Sequence, residues 1–358
     1  SFPTRRSSDL GQSGLATSFG LIREKVKNII VLDENAFGKA GPWNNFARMI
    51  TLRTPKYVIG PELGIPNLSI RSWYEATYGV LAWQKLSLIP KEDWAQYLCW
   101  YEKILDLPVE HEAKVVSIKW QDEENCFQVG FIKNGQQLFY FAKKIVLANG
   151  IEGSGEWHTP RFIKEKLPRE LYAHTNEQID FEKLKGKKVG VFGAGASAFD
   201  AASVALEQGA ASVNLFFRRK TLPRINPYRW AEFTGFLNHH ANLSDEEKYN
   251  FIHQIISMGQ LPPKDTFDRA KKYSNFFLEP EQDIKEVSQQ GDKIRLKTNK
   301  AEHEIDFLII GTGFKTDLKL RPELLNFEAH IARWKDRIDP KDKLYDLMEH
   351  PYLGDNFE

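Results

Sequence analysis

About thirty residues carry an apolar strand, a glycine turn, an alanine-rich helix and a second apolar strand, an order that few folds accept. The strand is Val189-Gly190-Val191-Phe192, and the turn is Gly193-Ala194-Gly195-Ala196-Ser197-Ala198. Phe199–Gln208 reads as the helix, and the second strand closes on Phe217-Arg218-Arg219-Lys220. Gly193 permits a sharp turn, Gly195 lets the backbone approach a pyrophosphate, and Ala198 keeps helix and strand close. The first N–H groups of the helix, near Ala196 and Ser197, face the anion. A carboxylate at the end of the second strand would take a ribose 2′-hydroxyl; Arg218 and Arg219 suit a 2′-phosphate. The stretch predicts an NADPH site on a parallel βαβ unit.

The start of the chain repeats the pattern in damaged form. Gly11-Gln12-Ser13-Gly14-Leu15-Ala16 resembles the second half of such a turn, opening a helix to about Val26. Residues 27–32 then read as a strand ending at Asp33-Glu34. Asp33 stands about twenty residues after the turn, where a carboxylate takes the ribose of a second dinucleotide, and Glu34 is the close alternative. An apolar strand ending in glycine should precede Gly11. Residues 1–10 instead hold Pro3, Arg5, Arg6, three serines and, in the place of that glycine, Asp9. Such residues do not make a buried parallel strand. Residues 1–10 are read as a non-native segment.

Charge and composition exclude several classes. The formal net charge is +1, so no basic footprint for nucleic acid is present. No apolar run reaches the ~20 residues of a membrane span, and no signal peptide opens the chain. Only Cys99 and Cys126 occur. Their separation rules out a C-x-x-C dithiol and fits a cytoplasmic location. Aromatic content of 13%, with nine Trp, suits large cores and planar ligands.

Further along, residues 38–66 read as loops over a ligand. Residues 72–78 and 91–105 have helical spacing, the latter with Trp94, Tyr97, Leu98, Tyr101 and Ile104 on a core face. Residues 113–120, 126–133 and 137–141 form an antiparallel insertion with a turn at Asn134-Gly135. Lys143–Leu147 reads as a strand delivering the small turn Ala148-Asn149-Gly150. Residues 306–310 deliver its counterpart, Gly311-Thr312-Gly313. The order of glycine turn, small turn, glycine turn, small turn predicts an α/β chain of two Rossmann-like domains. The NADPH domain (156–304) sits inside an FAD domain (11–155 and 305–358, discontinuous and incomplete). Residues 223–279 form a mostly helical excursion. His239, His240 and His253 lack companion ligands, so no metal site is expected.

This pattern resembles the flavin-dependent monooxygenases with paired dinucleotide folds: the flavin-containing, N-hydroxylating and Baeyer–Villiger types. The resemblance covers about residues 11–320 and implies FAD on Gly11–Glu34 and NADPH on Gly193–Arg219. Gly41-Pro42-Trp43 and Thr51–Lys56 resemble the stretch against the isoalloxazine, which brings in Trp43 and Lys56. Arg53 stands where several of those enzymes have Asn, and is the candidate for stabilising negative charge on the flavin side. The linker fingerprint survives only as His174 in 168–174, which weakens a Baeyer–Villiger assignment. Residues 321–358 are mostly polar, and the chain reads as truncated at both ends.

The activity implied is hydride transfer from NADPH to FAD, then reaction with O2. The resulting flavin C4a-peroxide would oxygenate a small N or S nucleophile. Two alternatives stand beside it: an NADPH-driven flavin reductase or oxidase that releases hydrogen peroxide, and a non-catalytic nucleotide-binding fragment. The expected partners are the small substrate and O2; assembly into a homo-oligomer is left open.

Overall fold

The computed structural model describes residues 11–354 except 261 and 342. The anomalous segment 1–10 lies outside them. Gly11 is the N-cap of α1 (Gln12–Arg23), and no side chain caps that helix, so its first N–H groups stay available. The strand expected over 27–32 contracts to β1 (Val31–Leu32), which pairs in parallel with β2 (Val109–Glu110). Between them come α2 (Ile70–Tyr78), α3 (Val80–Lys85) and α4 (Lys91–Ile104). Their apolar faces share one core, in which Tyr97 and Tyr101 are completely buried. The expected insertion is present as β3 (Lys114–Gln121), β4 (Cys126–Lys133) and β5 (Gln136–Ala142). Asn134 and Gly135 turn the hairpin with φ of 51° and 74°, the mirror-image geometry that tight hairpins favour.

One expected element does not form. Residues 144–149 adopt no regular structure, and Val146 and Leu147 are 61% and 48% exposed. A parallel strand needs neighbours and cover on both faces. Among the described residues, no strand pairs with 144–149.

The second half is regular. It runs through β6 (Gly155–Trp157), α5 (Arg161–Lys166), β7 (Tyr172–His174) and β8 (Lys188–Phe192). Then follow α6 (Ala196–Glu207) and β9 (Ser212–Phe217). The excursion holds α7 (Thr234–His239), α8 (Asp245–Met258) and α9 (Lys264–Lys271) before β10 (Phe276–Pro280). An antiparallel meander that the sequence reading missed, β11 (Ile284–Gln290), β12 (Lys293–Thr298) and β13 (Glu302–Ile305), leads into β14 (Phe307–Ile310).

Five strands make one wholly parallel sheet in the order β10-β9-β8-β14-β7. Val189, Val191, Val213, Leu215 and Ile309 are fully buried in it, and Ala201, Ala202 and Ala205 of α6 pack on their face. Each of the larger side chains contributes about 1.5–3 kcal/mol by leaving water. Short alanines let α6 lie close. One boundary moves: β14, grouped by the sequence with the FAD domain from residue 305, belongs to this sheet, so the crossing back comes after Ile310. There β15 (Phe314–Thr316) pairs antiparallel with β6, and α10 (Tyr345–Met348) follows. The polar-looking tail is anchored, since Leu318 and Leu324 pack with Ile118 and Val129, and Leu347 and Met348 with Tyr249.

Candidate functional site

The strand order reverses direction at β8, with β9 on one side and β14 on the other. Ligands of open α/β sheets bind at such a switch point, beyond the carboxyl ends of the strands. The Gly193 turn and the small turn at Gly311 both arrive there. Gly311 N–H donates to Phe192 O at 2.7 Å. Gly193 has φ +119°, and a Cβ on it would lie 2.2 Å from the Gly311 carbonyl oxygen. A Cβ on Gly311 would lie 2.8 Å from Ala198 Cβ. The three small residues therefore require one another. Gly195 differs: a Cβ there would meet nothing within 4 Å, and no side chain caps α6, so space and unpaired N–H groups coincide. Ser197 is exposed at the same helix start, whereas Ala196 and Ala198 are buried. The cradle fits a pyrophosphate.

The two arginines at the end of β9 diverge. Arg218 is exposed to solvent. Arg219 donates to the carbonyls of Met258 (2.6 Å) and Ser257 (3.0 Å), capping the C-terminus of α8. Gly259, with φ +73°, makes room for it: a Cβ there would sit 2.8 Å from Arg219 Nη2.

On the other side, Gly11 is open to approach, with nothing within 4 Å of a Cβ, while Gln12 and Ser13 are exposed and Gly14 is buried. Asp33 is completely buried; its Oδ1 accepts from Asn35 N and Nδ2, both at 2.9 Å, and its Oδ2 has no partner. Glu34 pairs with Lys114 at 3.2 Å through one oxygen and leaves Oε1 buried without a partner. Burial pushes the Glu34 carboxyl up to about 7 against the opposing pull of Lys114. Burial also raises Asp33, opposed by its Asn35 bonds. Two unsatisfied carboxylate oxygens are what the hydroxyls of a ribose would satisfy. Trp43 Nε1 is a third buried atom without a partner. Ala148 and Asn149 are half-buried, and Gly150 turns the chain with φ +64°. These residues fit an FAD. The sequence reading missed His111, whose Nε2 lies 2.7 Å from Glu102 Oε1 and whose pKa that bond raises.

Beside Ser197 at the start of α6 lies a cavity of about 150 Å³ bordered by Phe46, Arg48, Arg53, Thr175, Ser197 and Asp200. Arg53 crosses from the flavin-side loop to α6 and pairs with Asp200 at 2.6 Å, while its Nε stays buried and unpartnered. Asp200 also accepts from Thr266 Oγ1 at 3.0 Å; burial raises its pKa and Arg53 opposes the rise. Arg48 donates to the carbonyls of Thr175 and Glu177 and lies over the Phe181 ring. Arg53 is thus where the two halves meet. Lys56 is not: its Nζ donates to the Trp83 and Leu86 carbonyls, both at 2.7 Å, at the end of α3. Thr312 donates to the His158 carbonyl and Gly313 accepts from His158 N, tying the second small turn to the segment after β6. Asp200 went unnoticed in the sequence, although a lone carboxylate among Phe199, Ala201 and Ala202 was its signal. Among the described residues no cluster of His, Cys, Asp and Glu could hold a metal, and no helix is long and apolar enough to cross a membrane.

The pyridine nucleotide-disulphide oxidoreductase family model matches residues 11–258. The chain is 42% identical over 350 residues to the FAD-dependent urate hydroxylase of Xanthomonas campestris pv. campestris, covering 97% of this chain and 73% of that protein. In fold it is similar to the ornithine hydroxylase of Pseudomonas aeruginosa (TM-score 0.75, 13% identity, 90% of this chain and 85% of that one). It is also similar to the FAD-bound cadaverine monooxygenase of Erwinia amylovora (TM-score 0.70, 15% identity, 94% and 84%). The chain belongs to the pyridine nucleotide-disulphide oxidoreductase family, as an FAD- and NADPH-dependent oxidoreductase of the monooxygenase kind. The family's name notwithstanding, Cys99 and Cys126 are both free thiols.

Proposed function

We propose that NADPH lies on Gly193–Ala198 with its 2′-phosphate toward Arg218 and Arg219, and FAD on Gly11–Gly14, Asp33 and Glu34. FAD would supply the capacity to take a hydride and react with O2. The protein's part is to hold the two nucleotides, screen the junction from water and present Arg53 as positive charge. Across one turnover, NADPH, a proton, O2 and a substrate give NADP+, water and the substrate with one added oxygen. The observation supporting this reading is the Arg53–Asp200 pair, which joins the loop after Glu34 to the helix that opens on the Gly193 turn, beside a small cavity lined by Ser197. The 42% identical relative makes urate the first substrate to try. The free thiols support a cytoplasmic setting.

The test follows NADPH oxidation and O2 uptake by the FAD-supplemented protein with urate. One oxygenated product per NADPH supports the proposal; peroxide in equal amount, with urate untouched, supports the oxidase alternative. Exposed Val146 and Leu147 favour that second reading, because a flavin side open to water leaks peroxide. No flavin binding and no NADPH consumption would leave the fragment reading.

A further inference from the structure

Asp33 is completely buried and follows a strand only two residues long, so its carboxylate must be fixed by more than β1. A chain of contacts from α4 does this. Glu102, on the buried face of α4, takes His111 Nε2 at 2.7 Å. His111 Nδ1 lies 3.3 Å from the Asn35 carbonyl oxygen. Asn35 in turn gives Asp33 Oδ1 both its backbone N–H and its side-chain amide, each at 2.9 Å. Backbone bonds run alongside: Asp33 N donates to Glu110 O at 3.0 Å, Glu112 N to Asn35 O at 3.1 Å and Ala113 N to Asp33 O at 2.8 Å. One carboxylate oxygen is thereby held, and Oδ2 is left without a partner.

The charge of the ring follows from its partners. A carbonyl oxygen only accepts, so Nδ1 carries a proton; a carboxylate oxygen also accepts, so Nε2 carries one too. Neutral imidazole has a single N–H, whereas imidazolium has two and serves both partners. The bond to Glu102 lifts the ring above the usual histidine range, against the opposing effect of burial. The charged groups facing it are Glu102 from α4 and Asp33 from the end of β1, while the Phe37 ring meets it edge-on. Lys114 of β3 is engaged by Glu34, and Lys133 of β4 by Glu110. Two buried carboxylates, Glu102 and Asp33, thus share this cation. Burial raises the Asp33 carboxyl, Asn35 and His111 oppose the rise, and Glu102 adds to it. Once the ring is neutral, Glu102 acts on Asp33 as an unscreened like charge, and ionised Asp33 is disfavoured.

We propose that His111, as imidazolium, is a positioning residue for the flavin nucleotide. It ties the Asp33–Asn35 turn to α4 and keeps Asp33 a charged acceptor for a ribose hydroxyl, so FAD binding weakens when the ring loses its proton. The proposal rests on the placement of FAD at Asp33 and Glu34.

The test is the FAD dissociation constant of the apo-protein, measured by equilibrium dialysis from about pH 6 to about pH 9, across the range in which a raised histidine titrates. It compares wild type with His111→Gln and Glu102→Gln, with thermal unfolding as the check on folding. Glu34, with its pKa pushed up to about 7, titrates in the same range, but it is common to all of them and cancels in a ratio of constants. Expected is a Kd for His111→Gln about 10-fold above wild type at the acid end, the equivalent of one pKa unit of coupling, with the ratio falling toward about 1 at the alkaline end, where the wild-type ring is neutral too. Glu102→Gln should move the loss of affinity to lower pH, because the ring has lost the acceptor that holds its proton. A ratio that is the same at every pH would make His111 a brace without a role for its charge, and identical profiles in all the proteins would leave it no role. Either result overturns the proposal while the FAD placement stands. Failure of wild type to bind FAD at any pH overturns both. Should His111→Gln fail to fold, Glu102→Gln carries the decision, and an unshifted profile there is the refuting result.

Discussion

The two glycine turns began as near copies and stand in opposite physical circumstances. Gly193 is locked by its surroundings: parallel strands on both sides of β8, a helix packed through alanine, and a partner glycine 2.2 Å from where its Cβ would be. Gly11 opens a helix of the same length, yet the strand that follows is two residues long and the space about it is empty. The first turn is part of a core that folds whether or not a nucleotide binds. The second leaves Gln12 and Ser13 exposed and lies with two buried carboxylate oxygens that have no partner, so its order should depend more on a ligand.

The largest test of that contrast exchanges glycine for alanine at each turn. Gly193→Ala should cost on the order of 3 kcal/mol or more, because backbone atoms of two packed turns would have to part and φ is positive. Gly11→Ala should leave the apo melting temperature nearly unchanged and weaken FAD binding. Equal losses of stability at both positions would erase the distinction. Next in size, replacing Arg218 and Arg219 together by Ala should raise the NADPH KM about 10–100-fold, as loss of charge-assisted phosphate bonds requires, with NADH little affected. Equal effects on both coenzymes would refute the 2′-phosphate assignment.

A pH series probes the flavin side. The Glu34 carboxyl titrates near 4.5 unfolded and about 7 folded, amid Lys114, Asp33 and Glu152. The folded state thus holds a proton that the unfolded state has lost, so apo stability should fall as pH rises from about 4.5 to 7, by roughly 1–3 kcal/mol at most. Glu34→Gln should flatten that slope, as urea titrations at several pH values would reveal; an unaltered slope would assign the effect elsewhere. The smallest effect is expected at the junction. Asp200→Asn should lower stability by ~1 kcal/mol, since Arg53 is partly solvated, yet raise peroxide release per NADPH. A coupling ratio equal to wild type would mean that the pair only braces the two halves.

How much was readable follows the same divide. The half proposed to take NADPH announces its fold because its requirements are local: Gly193, Gly195, Ala198 and the flanking valines act within one βαβ unit. Lys143–Leu147 has the composition of a strand, but strandedness is a property of a pair, and its partner must come from elsewhere in the chain. Placing β14 failed for a related reason, since an apolar run before a small turn suits either sheet. The meander was overlooked although Ile294 and Leu296 alternate with charged residues after Gly291-Asp292, a hairpin signal. Lys56 could be assigned from family pattern, but only packing reveals that its ammonium is occupied by the end of α3. Asp200 needed the third dimension, because Arg53 lies far from it in sequence.

Arg219 has a second employment that any attempt to retune this enzyme toward NADH will meet. The guanidinium proposed for the coenzyme's 2′-phosphate also holds the last carbonyls of α8. An acidic residue there, the natural choice for a ribose hydroxyl, would put negative charge against the negative end of that helix dipole. Coenzyme choice and the seating of the excursion are therefore traded against each other, and a successful NADH variant will need a new cation near Gly259.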